Sequence, residues 1–180
     1  MKIEFEKMKR ILVDMDGVLA DVYPRFFELY EEETGLRKIK DDLIGLKEGE
    51  AFPELFRWVQ TSGFFRTIPV MSDSQRVLRL LNETYEIIVI SMATEFPVSL
   101  TDKQLWLNDH FPFISWKQVV FCGNKSLIPA DLMIDDHLKN LDNFDGETIM
   151  FIQPHNINKT DHHHKTVSSW AEIEKLLLPV

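Results

Sequence analysis

Three aspartates follow a short apolar run near the start of the chain. In VDMDGVLAD, residues 13–21, the acids are Asp14, Asp16 and Asp21, and the apolar residues ILV lead into them. Carboxylates crowded behind a buried strand repel one another and resist burial, so a nearby cation has to offset their charge. Carboxylates in such a place can serve as nucleophile, as acid and base, or as metal ligands.

Further polar residues follow other apolar runs that are typical of buried parallel strands. Ser91 ends EIIVIS, Lys125 lies in GNKS just after QVVFC, and Asp135 and Asp136 end the run in DLMIDD. QPHN, after the fifth run, is less informative. Because ligands bind beyond the carboxyl ends of the strands in an open α/β sheet, we expect these side chains to converge with the first two aspartates.

The expected cluster is suited to phosphoryl transfer. Four close carboxylates cannot all stay ionised without a cation, and Mg²⁺ is the divalent cation that best fits oxygen ligands and a substrate phosphate. Ser91 and Lys125 would bind the phosphate oxygens. Asp14 would attack phosphorus and form an aspartyl-phosphate. Asp16, two residues further on the same side of an extended chain, would protonate the leaving oxygen and later deprotonate the attacking water.

Apolar runs that alternate with helical segments predict a doubly wound α/β fold with a mainly parallel, Rossmann-like sheet. Five strands are expected, over residues 10–14, 86–91, 118–122, 131–135 and 148–152. Helix starts are indicated by capping boxes at Ser72–Gln75, Thr101–Gln104 and Ser169–Glu172. Asp21 is expected to be the N-cap of the first helix.

The connection between the first two strands is too long for an ordinary crossover. Residues 18–72 are therefore expected to form a small helical cap subdomain, inserted after strand one into an α/β core domain of residues 1–17 and 73–180. Within the cap, apolar residues at helical spacing over residues 22–30 predict a helix that stops at Gly35.

Composition narrows the class of partner. The chain has 180 residues, of which 20 are basic and 29 acidic, for a net charge of −9, which argues against binding a nucleic-acid polymer. No apolar run approaches the roughly 20 residues that span a bilayer, and MKIEFEKMKR lacks a signal-peptide core. The one cysteine, Cys122, fits a reducing compartment. We expect a cytoplasmic protein with a small phosphate ester as partner and no membrane; a homodimer is left open.

The order of the motifs resembles that of the haloacid dehalogenase-like (HAD) phosphatases, through ILVDMDGV, IIVIS, Lys125 and LMIDD. The resemblance implies that Asp14 is the nucleophile, Asp16 the acid and base, and Ser91 a phosphate ligand together with Lys125. It also places the metal between Asp14, the carbonyl of Asp16 and the adjacent aspartates at 135 and 136. Which of those two aspartates binds the metal directly is left open.

Within that superfamily the chain is most similar to the 5′(3′)-deoxyribonucleotidases. The likeness rests on VDMDGVLAD before a helical cap, on SGFFRTIPV and on DLMIDDH, and it spans about residues 10–145. It implies a (deoxy)nucleoside monophosphate as substrate and Phe65 as an aromatic that holds the base, whereas Phe64 fits a core role equally well. The chain departs from the family pattern at Met92, Val22 and Arg66, where the substrate is chosen, and Met92 is included among the expected substrate contacts.

Three other functions fit parts of the pattern. A HAD phosphatase for a sugar or amino-acid phosphate would need the same motifs. A receiver-like signalling module also combines acids, a hydroxyl, a lysine and Mg²⁺, but its phospho-accepting aspartate lies on a middle strand and it lacks a cap. A non-catalytic member of the superfamily would be expected to have lost at least one motif. The tract DHHHK, residues 161–165, can bind a transition metal, although a solvated loop is the expected structure.

Overall fold

A six-stranded parallel sheet forms the centre of the computed structural model, which describes residues 9–178. Most of MKIEFEKMKR, on which the signal-peptide expectation rests, lies outside the described residues. The strands are β1 (Arg10–Asp14), β2 (Glu86–Ser91), β3 (Val119–Phe121), β4 (Leu132–Asp135), β5 (Glu147–Phe151) and β6 (Lys165–Val167). Their order across the sheet is β3-β2-β1-β4-β5-β6, and each neighbouring pair is parallel.

Helices connect the strands and cover the sheet. They are α1 (Tyr23–Thr34), α2 (Glu48–Ala51), α3 (Leu55–Val59), α4 (Ser74–Thr84), α5 (Ser99–His110), α6 (Leu138–Leu141) and α7 (Trp170–Leu177). Alternate residues of the central strands belong to two separate buried clusters; Ile11 and Val13 lie in one, and Leu12 lies in the other. Because side chains alternate across a strand, both faces of the sheet are buried, as expected for a parallel sheet.

The predicted fold class is confirmed, and the five expected strands are present to within two residues at each end. The sixth strand, β6, was not predicted. It has only three residues, KTV, of which two are exposed, so it lacks the apolar run by which the other strands are found. Among residues 9–178, no helix is both long and apolar enough to cross a membrane.

Helix starts were predicted less well than strands. At α7 half of the capping box is present, since the Ser169 hydroxyl accepts a hydrogen bond from the backbone N–H of Glu172. The Glu172 carboxylate accepts from the N–H of Ser168 and not from that of Ser169. The boxes at Ser72–Gln75 and Thr101–Gln104 are wrong, because α4 begins inside the first and α5 begins before the second, each without a side-chain cap. A polar residue three positions before a glutamine is a frequent pattern, and tertiary packing decides where the helix begins.

The prediction for Asp21 is also wrong. The N-cap of α1 is Val22, whose backbone is already helical, and among residues 9–178 no side chain caps this helix. Asp21 instead forms an ion pair with Lys40 at 3.5 Å. Pro24, at the second position of α1, has no N–H to satisfy, which reduces the need for a capping side chain.

The segment between β1 and α4, called the inserted segment below, begins and ends at paired positions outside the sheet. Ala20 and Val70 form an antiparallel bridge, and the N–H of Met71 donates to the carbonyl of Leu19 at 2.7 Å. Between these points lie α1, α2, α3 and two 3₁₀ turns, and α1 stops at its C-cap Gly35, with φ +70°, as expected. Aromatic rings fill the interior of this segment, with contacts among Phe26, Phe52, Trp58 and Phe64.

The histidine tract is only partly a solvated loop. His163 is exposed, but His164 is buried and bonded through both ring nitrogens, to the Thr148 hydroxyl at 2.7 Å and to an Asp142 carboxylate oxygen at 2.9 Å. The expectation of a solvated loop is therefore wrong for His164, whose ring links β5 to the turn after α6.

Candidate active site

Neighbouring strands bring the first and fourth motifs together. Asp14 ends β1, Asp135 ends β4, and these two strands pair directly in the sheet. The ammonium group of Lys125 lies between the two carboxylates, 2.6 Å from an oxygen of each, and all three side chains are buried. A buried cation in contact with two buried carboxylates offsets part of the repulsion that the sequence implied.

Asp135 and Asp136, adjacent in the chain, have different surroundings. Asp135 accepts hydrogen bonds from Lys125, from the N–H of His137 at 2.8 Å and from the side-chain amide of Asn140 at 3.0 and 3.1 Å. Asp136 is also buried, but its Oδ1 has no hydrogen-bond partner among the described residues. An unpaired buried carboxylate oxygen is costly unless a ligand completes it, so Asp136 is the member of the pair with free coordinating capacity.

Gly17 allows the first motif to approach Asp136. Its φ of +78° lies in the left-handed region, and a Cβ added there would be 2.1 Å from Oδ2 of Asp136. Any side chain at position 17 would therefore displace the carboxylate. The glycine in DMDG is required both for the turn and for this close approach.

Asp16 and Ser91 meet as expected, but a residue that the sequence reasoning missed lies between them. Lys103, on α5, is buried; its ammonium group donates to the Ser91 hydroxyl at 2.9 Å and makes a shorter contact with Oδ2 of Asp16. The Ser91 hydroxyl is itself 3.5 Å from the same Asp16 oxygen. Two lysines rather than one therefore face the aspartates.

A signal for Lys103 was present in the sequence. The buried residues of α5 fall at the i, i+3, i+4, i+7, i+8 spacing of one helix face: Ser99, Asp102, Lys103, Trp106 and Leu107. A lysine at a core-facing position of an amphipathic helix is unusual and indicates a buried anionic partner.

The two residues that are expected to contact the substrate, Phe65 and Met92, have different surroundings. Phe65 is buried, its ring packs edge-on against Phe64 at 4.9 Å, and the Lys103 ammonium lies 4.2 Å from its ring centre. Phe64 stacks on Phe26 inside the inserted segment, which makes it a core residue. Met92 follows Ser91 directly and is half-buried at the start of a 3₁₀ turn.

Burial and the charges of neighbouring carboxylates raise the pKa of two of these carboxyl groups, Asp14 and Asp136. Burial raises the pKa of Asp14 to about 8, although Lys125 opposes the change. Burial, followed by the charge of Asp135, raises the pKa of Asp136 well above its ordinary value. Burial lowers the pKa of Lys125, but the two carboxylates that it contacts outweigh burial and raise the pKa overall.

All six predicted catalytic, phosphate-binding and metal-binding residues thus lie at one edge of the sheet. Carboxylate oxygens of Asp14, Asp135 and Asp136 lie within 4.8 Å of one another. This donor set, with an unpaired oxygen on Asp136, fits a hard divalent cation that prefers oxygen ligands. Among residues 9–178, a second group of potential metal ligands, with two histidine nitrogens and one carboxylate, consists of Asp136, His137 and His155.

Comparison with known proteins identifies the family. The family model described as "5′ nucleotidase, deoxy (Pyrimidine), cytosolic type C protein" matches residues 7–180. The chain belongs to this family. A protein of Bacillus subtilis (strain 168) named 5′(3′)-deoxyribonucleotidase is 39% identical over 177 residues, which cover 95% of this chain and 100% of the relative.

Solved structures of HAD hydrolases share the fold of this nucleotidase-family member. A HAD family hydrolase from Deinococcus radiodurans R1 with bound phosphate and sodium has a TM-score of 0.61 at 13% identity and covers 96% of this chain and 99% of its own. A HAD hydrolase from Bacillus subtilis bound to magnesium has a TM-score of 0.57 at 11% identity, with coverage of 97% and 100%. The predicted family and the enzyme class, a hydrolase of phosphoric monoesters, are confirmed.

Proposed function

We propose that this chain is a Mg²⁺-dependent 5′(3′)-nucleotidase that hydrolyses (deoxy)nucleoside monophosphates to nucleoside and inorganic phosphate through an aspartyl-phosphate on Asp14. The observation that carries the proposal is the position of Asp14, which ends a central strand, contacts a buried lysine and has a carboxylate oxygen within 4.8 Å of one from Asp136. The name of the Bacillus subtilis relative supports the nucleotide as substrate.

The two carboxylate oxygens of Asp14 differ in their contacts. Its Oδ1 accepts the N–H of Met15 at 2.7 Å and contacts Lys125 at 2.6 Å. The other oxygen, Oδ2, takes part in neither of these contacts. In the proposed first step Oδ2 attacks phosphorus, the ester P–O bond breaks, and the leaving oxygen takes a proton from Asp16.

In the second step water attacks the same phosphorus, Asp16 takes the proton of the water, and Asp14 is released with inorganic phosphate. A role for Asp16 in both steps is supported by its side chain, which is 30% exposed and lies beside Ser91.

Phosphate oxygens would be bound by Ser91, Lys103 and Lys125. Ser91 offers its hydroxyl and Lys103 its ammonium group at the same corner of the site, 2.9 Å apart. Lys125 contacts the attacking carboxylate itself, so it would offset charge as Asp14 approaches an anionic phosphate. The role of Lys125 as a direct phosphate ligand remains a prediction.

A magnesium ion would be held by Asp14, by the carbonyl of Asp16 and by Asp136 rather than Asp135. Donors already occupy both oxygens of Asp135, so it would have to give up a hydrogen bond to bind a metal, whereas Oδ1 of Asp136 has no partner among residues 9–178. When bound, the ion would supply the positive charge that lets a carboxylate approach a phosphate ester. Asp135 would then serve to hold Lys125 in place.

We also propose that residues 18–72 act as the cap that selects the substrate, on a core of residues 1–17 and 73–180. The paired entry and exit of this segment at Ala20 and Val70 support a division there. Phe65 would contact the base, and Met92 would border the sugar. A nucleoside monophosphate in the cytoplasm is the proposed partner, and a homodimer stays a prediction.

Turnover of a panel of phosphate monoesters tests the proposal. Release of inorganic phosphate would be measured with Mg²⁺ for deoxyribonucleotides, ribonucleotides, sugar phosphates and amino-acid phosphates, with the Asp14→Asn protein as blank. We expect the highest kcat/KM for a deoxynucleoside monophosphate. Equal or faster hydrolysis of a sugar or amino-acid phosphate would instead support a HAD phosphatase of another substrate class, and a stable phospho-protein without turnover would support a signalling role.

A further inference from the structure

The loop after β5, residues 153–156 with sequence QPHN, contacts the proposed metal site although its sequence gave little indication of it. Gln153 and Asn156 are buried, and His155 is largely so. The loop closes on itself, since the N–H of Gln153 donates to the side-chain oxygen of Asn156 at 2.9 Å. The remaining polar groups of these three side chains are directed at other parts of the site.

Two side chains of the QPHN loop hold the backbone of Asp136. The carbonyl of Asp136 accepts from the amide nitrogen of Asn156 at 2.7 Å and lies 3.0 Å from Nε2 of His155. A carbonyl can only accept, so Nε2 must carry the hydrogen of the neutral ring. Two donors on one carbonyl fix the orientation of that peptide, and with it the direction in which the unpaired carboxylate of Asp136 points.

The same loop holds the opposite side of the site. The side-chain amide of Gln153 donates to the carbonyl of Gly17, the residue whose missing side chain admits the Asp136 carboxylate. Gly17 and Asp136, which approach each other closely but are far apart in sequence, are therefore both hydrogen-bonded to the QPHN loop. Metal ligands are commonly oriented by hydrogen-bond partners of this kind.

The ring of His155 also connects the loop to the inserted segment. Since Nε2 carries the hydrogen, Nδ1 is an acceptor, and the Tyr23 hydroxyl lies 3.0 Å from it and donates to it. Tyr23 is the first residue of α1 and is buried. The ring of His137 stacks on His155 at 4.6 Å, and Glu48 of α2 has a carboxylate oxygen 3.9 Å from Nδ1.

We propose that His155 and Asn156 are positioning residues for the metal-binding carboxylate of Asp136, and that Tyr23 extends this arrangement to α1. The affinity of the site for Mg²⁺ then depends on how the inserted segment is seated, through the chain from Tyr23 to His155 to the Asp136 carbonyl. The inference rests on the proposed function in one respect, namely that Asp136 is a ligand of the metal.

The test compares Mg²⁺ binding in the full-length protein and its variants by isothermal titration calorimetry, without substrate. His155→Phe keeps an aromatic ring but loses both hydrogen bonds, and we expect its Kd for Mg²⁺ to rise about tenfold or more, as for other outer partners of metal ligands. Tyr23→Phe removes one hydroxyl, and we expect a rise of about fivefold, the size of one hydrogen bond. In turnover assays, both variants should raise the half-saturating Mg²⁺ concentration more than they lower kcat at saturating Mg²⁺.

Matched controls separate positioning from a general loss of stability. His164→Phe also removes a buried histidine bonded through both ring nitrogens, and Tyr85→Phe removes a tyrosine hydroxyl that donates to the Leu177 carbonyl at 2.7 Å. Neither control should change the Kd for Mg²⁺. Wild-type Kd values in both test variants, or equal losses in the controls, would overturn the inference. If His155→Phe does not fold, Tyr23→Phe decides alone.

Asp136→Asn distinguishes failure of this inference from failure of the proposed function. If Asp136→Asn binds Mg²⁺ as the wild type does, the proposed metal site is wrong, and the inference falls with it. If Asp136→Asn loses Mg²⁺ binding while His155→Phe and Tyr23→Phe keep it, the metal site stands and only the positioning role is wrong.

Discussion

The ammonium group of Lys103 donates a 2.9 Å hydrogen bond to the hydroxyl of Ser91, at the end of β2. The lysine arrives from the middle of α5, which packs across the inserted segment: the indole of Trp106 donates to the Ile68 carbonyl, and the Asp102 carboxylate accepts from the N–H of Gly63. Helix α5 thus contacts the inserted segment and also carries the ammonium group that lies beside Ser91, where we propose that the phosphate binds.

Replacing Lys103 should weaken catalysis more than stability. In Lys103→Met the side chain keeps a similar volume but loses the charge beside Ser91 and Asp16, and we expect kcat/KM to fall by about a hundredfold or more, the usual effect of removing one donor from a developing anion. Lys175→Met, at an exposed position of α7, is the matched control. The measurement is phosphate release by both variants, with thermal unfolding as a check that each is folded. Equal activity of the two variants would contradict the role of Lys103.

Removing the nucleophile should abolish turnover without unfolding the protein. Asp14→Asn keeps the shape of the side chain but cannot form an acyl phosphate, and we expect at least about a thousandfold loss of kcat, in line with other removed nucleophiles. The fold should persist because Lys125 still contacts Asp135. Asp145→Asn, an exposed aspartate, is the control. Wild-type turnover by Asp14→Asn would show that another residue attacks phosphorus.

Gly17 should tolerate no side chain. Gly17→Ala puts a methyl group where Oδ2 of Asp136 lies, so we expect loss of Mg²⁺ binding together with lower stability. Gly35→Ala is a control with a similar φ, +70°, but open space around the added carbon, and should cost only the backbone strain of about 1 kcal/mol. Urea unfolding and calorimetric Mg²⁺ binding distinguish the two. Normal Mg²⁺ affinity in Gly17→Ala would mean that the close approach to Asp136 has no role in metal binding.

Mg²⁺ binding should depend on pH and release protons. In the metal-free protein the pKa of Asp14 is about 8, above that of an unfolded aspartate, so the carboxyl carries a proton below that pH. A cation must displace the proton, and the association constant should therefore fall as the pH is lowered below about 8, by at most about tenfold per pH unit for each proton displaced. Calorimetric titration in two buffers of different ionisation heat at one pH counts the protons. Equal heats in both buffers, together with a Kd that stays constant as the pH is changed, would contradict proton release on Mg²⁺ binding.

The sheet and most of the site could be predicted because they depend on local patterns. An apolar run that ends in aspartate marks both a buried strand and the functional residue at its carboxyl end, and this holds for Asp14 and Asp135. Since the strands are parallel and adjacent, their ends must meet at one edge. The same reasoning failed for β6, which is too short and polar to show such a run, and for Asp21, whose role depends on how Lys40 is placed.

The sequence by itself determined the chemistry of the protein: aspartates at positions 14 and 16, and a hydroxyl, a lysine and two more acids after later strands. The tertiary structure alone decided which of these groups are held by hydrogen bonds and which are left to bind a ligand. Adjacent in sequence, Asp135 and Asp136 look equivalent, yet one is saturated with hydrogen bonds and the other keeps an unpaired oxygen. The role of the QPHN loop likewise became visible only in three dimensions, because hydrogen bonds between distant segments depend on packing and not on spacing along the chain.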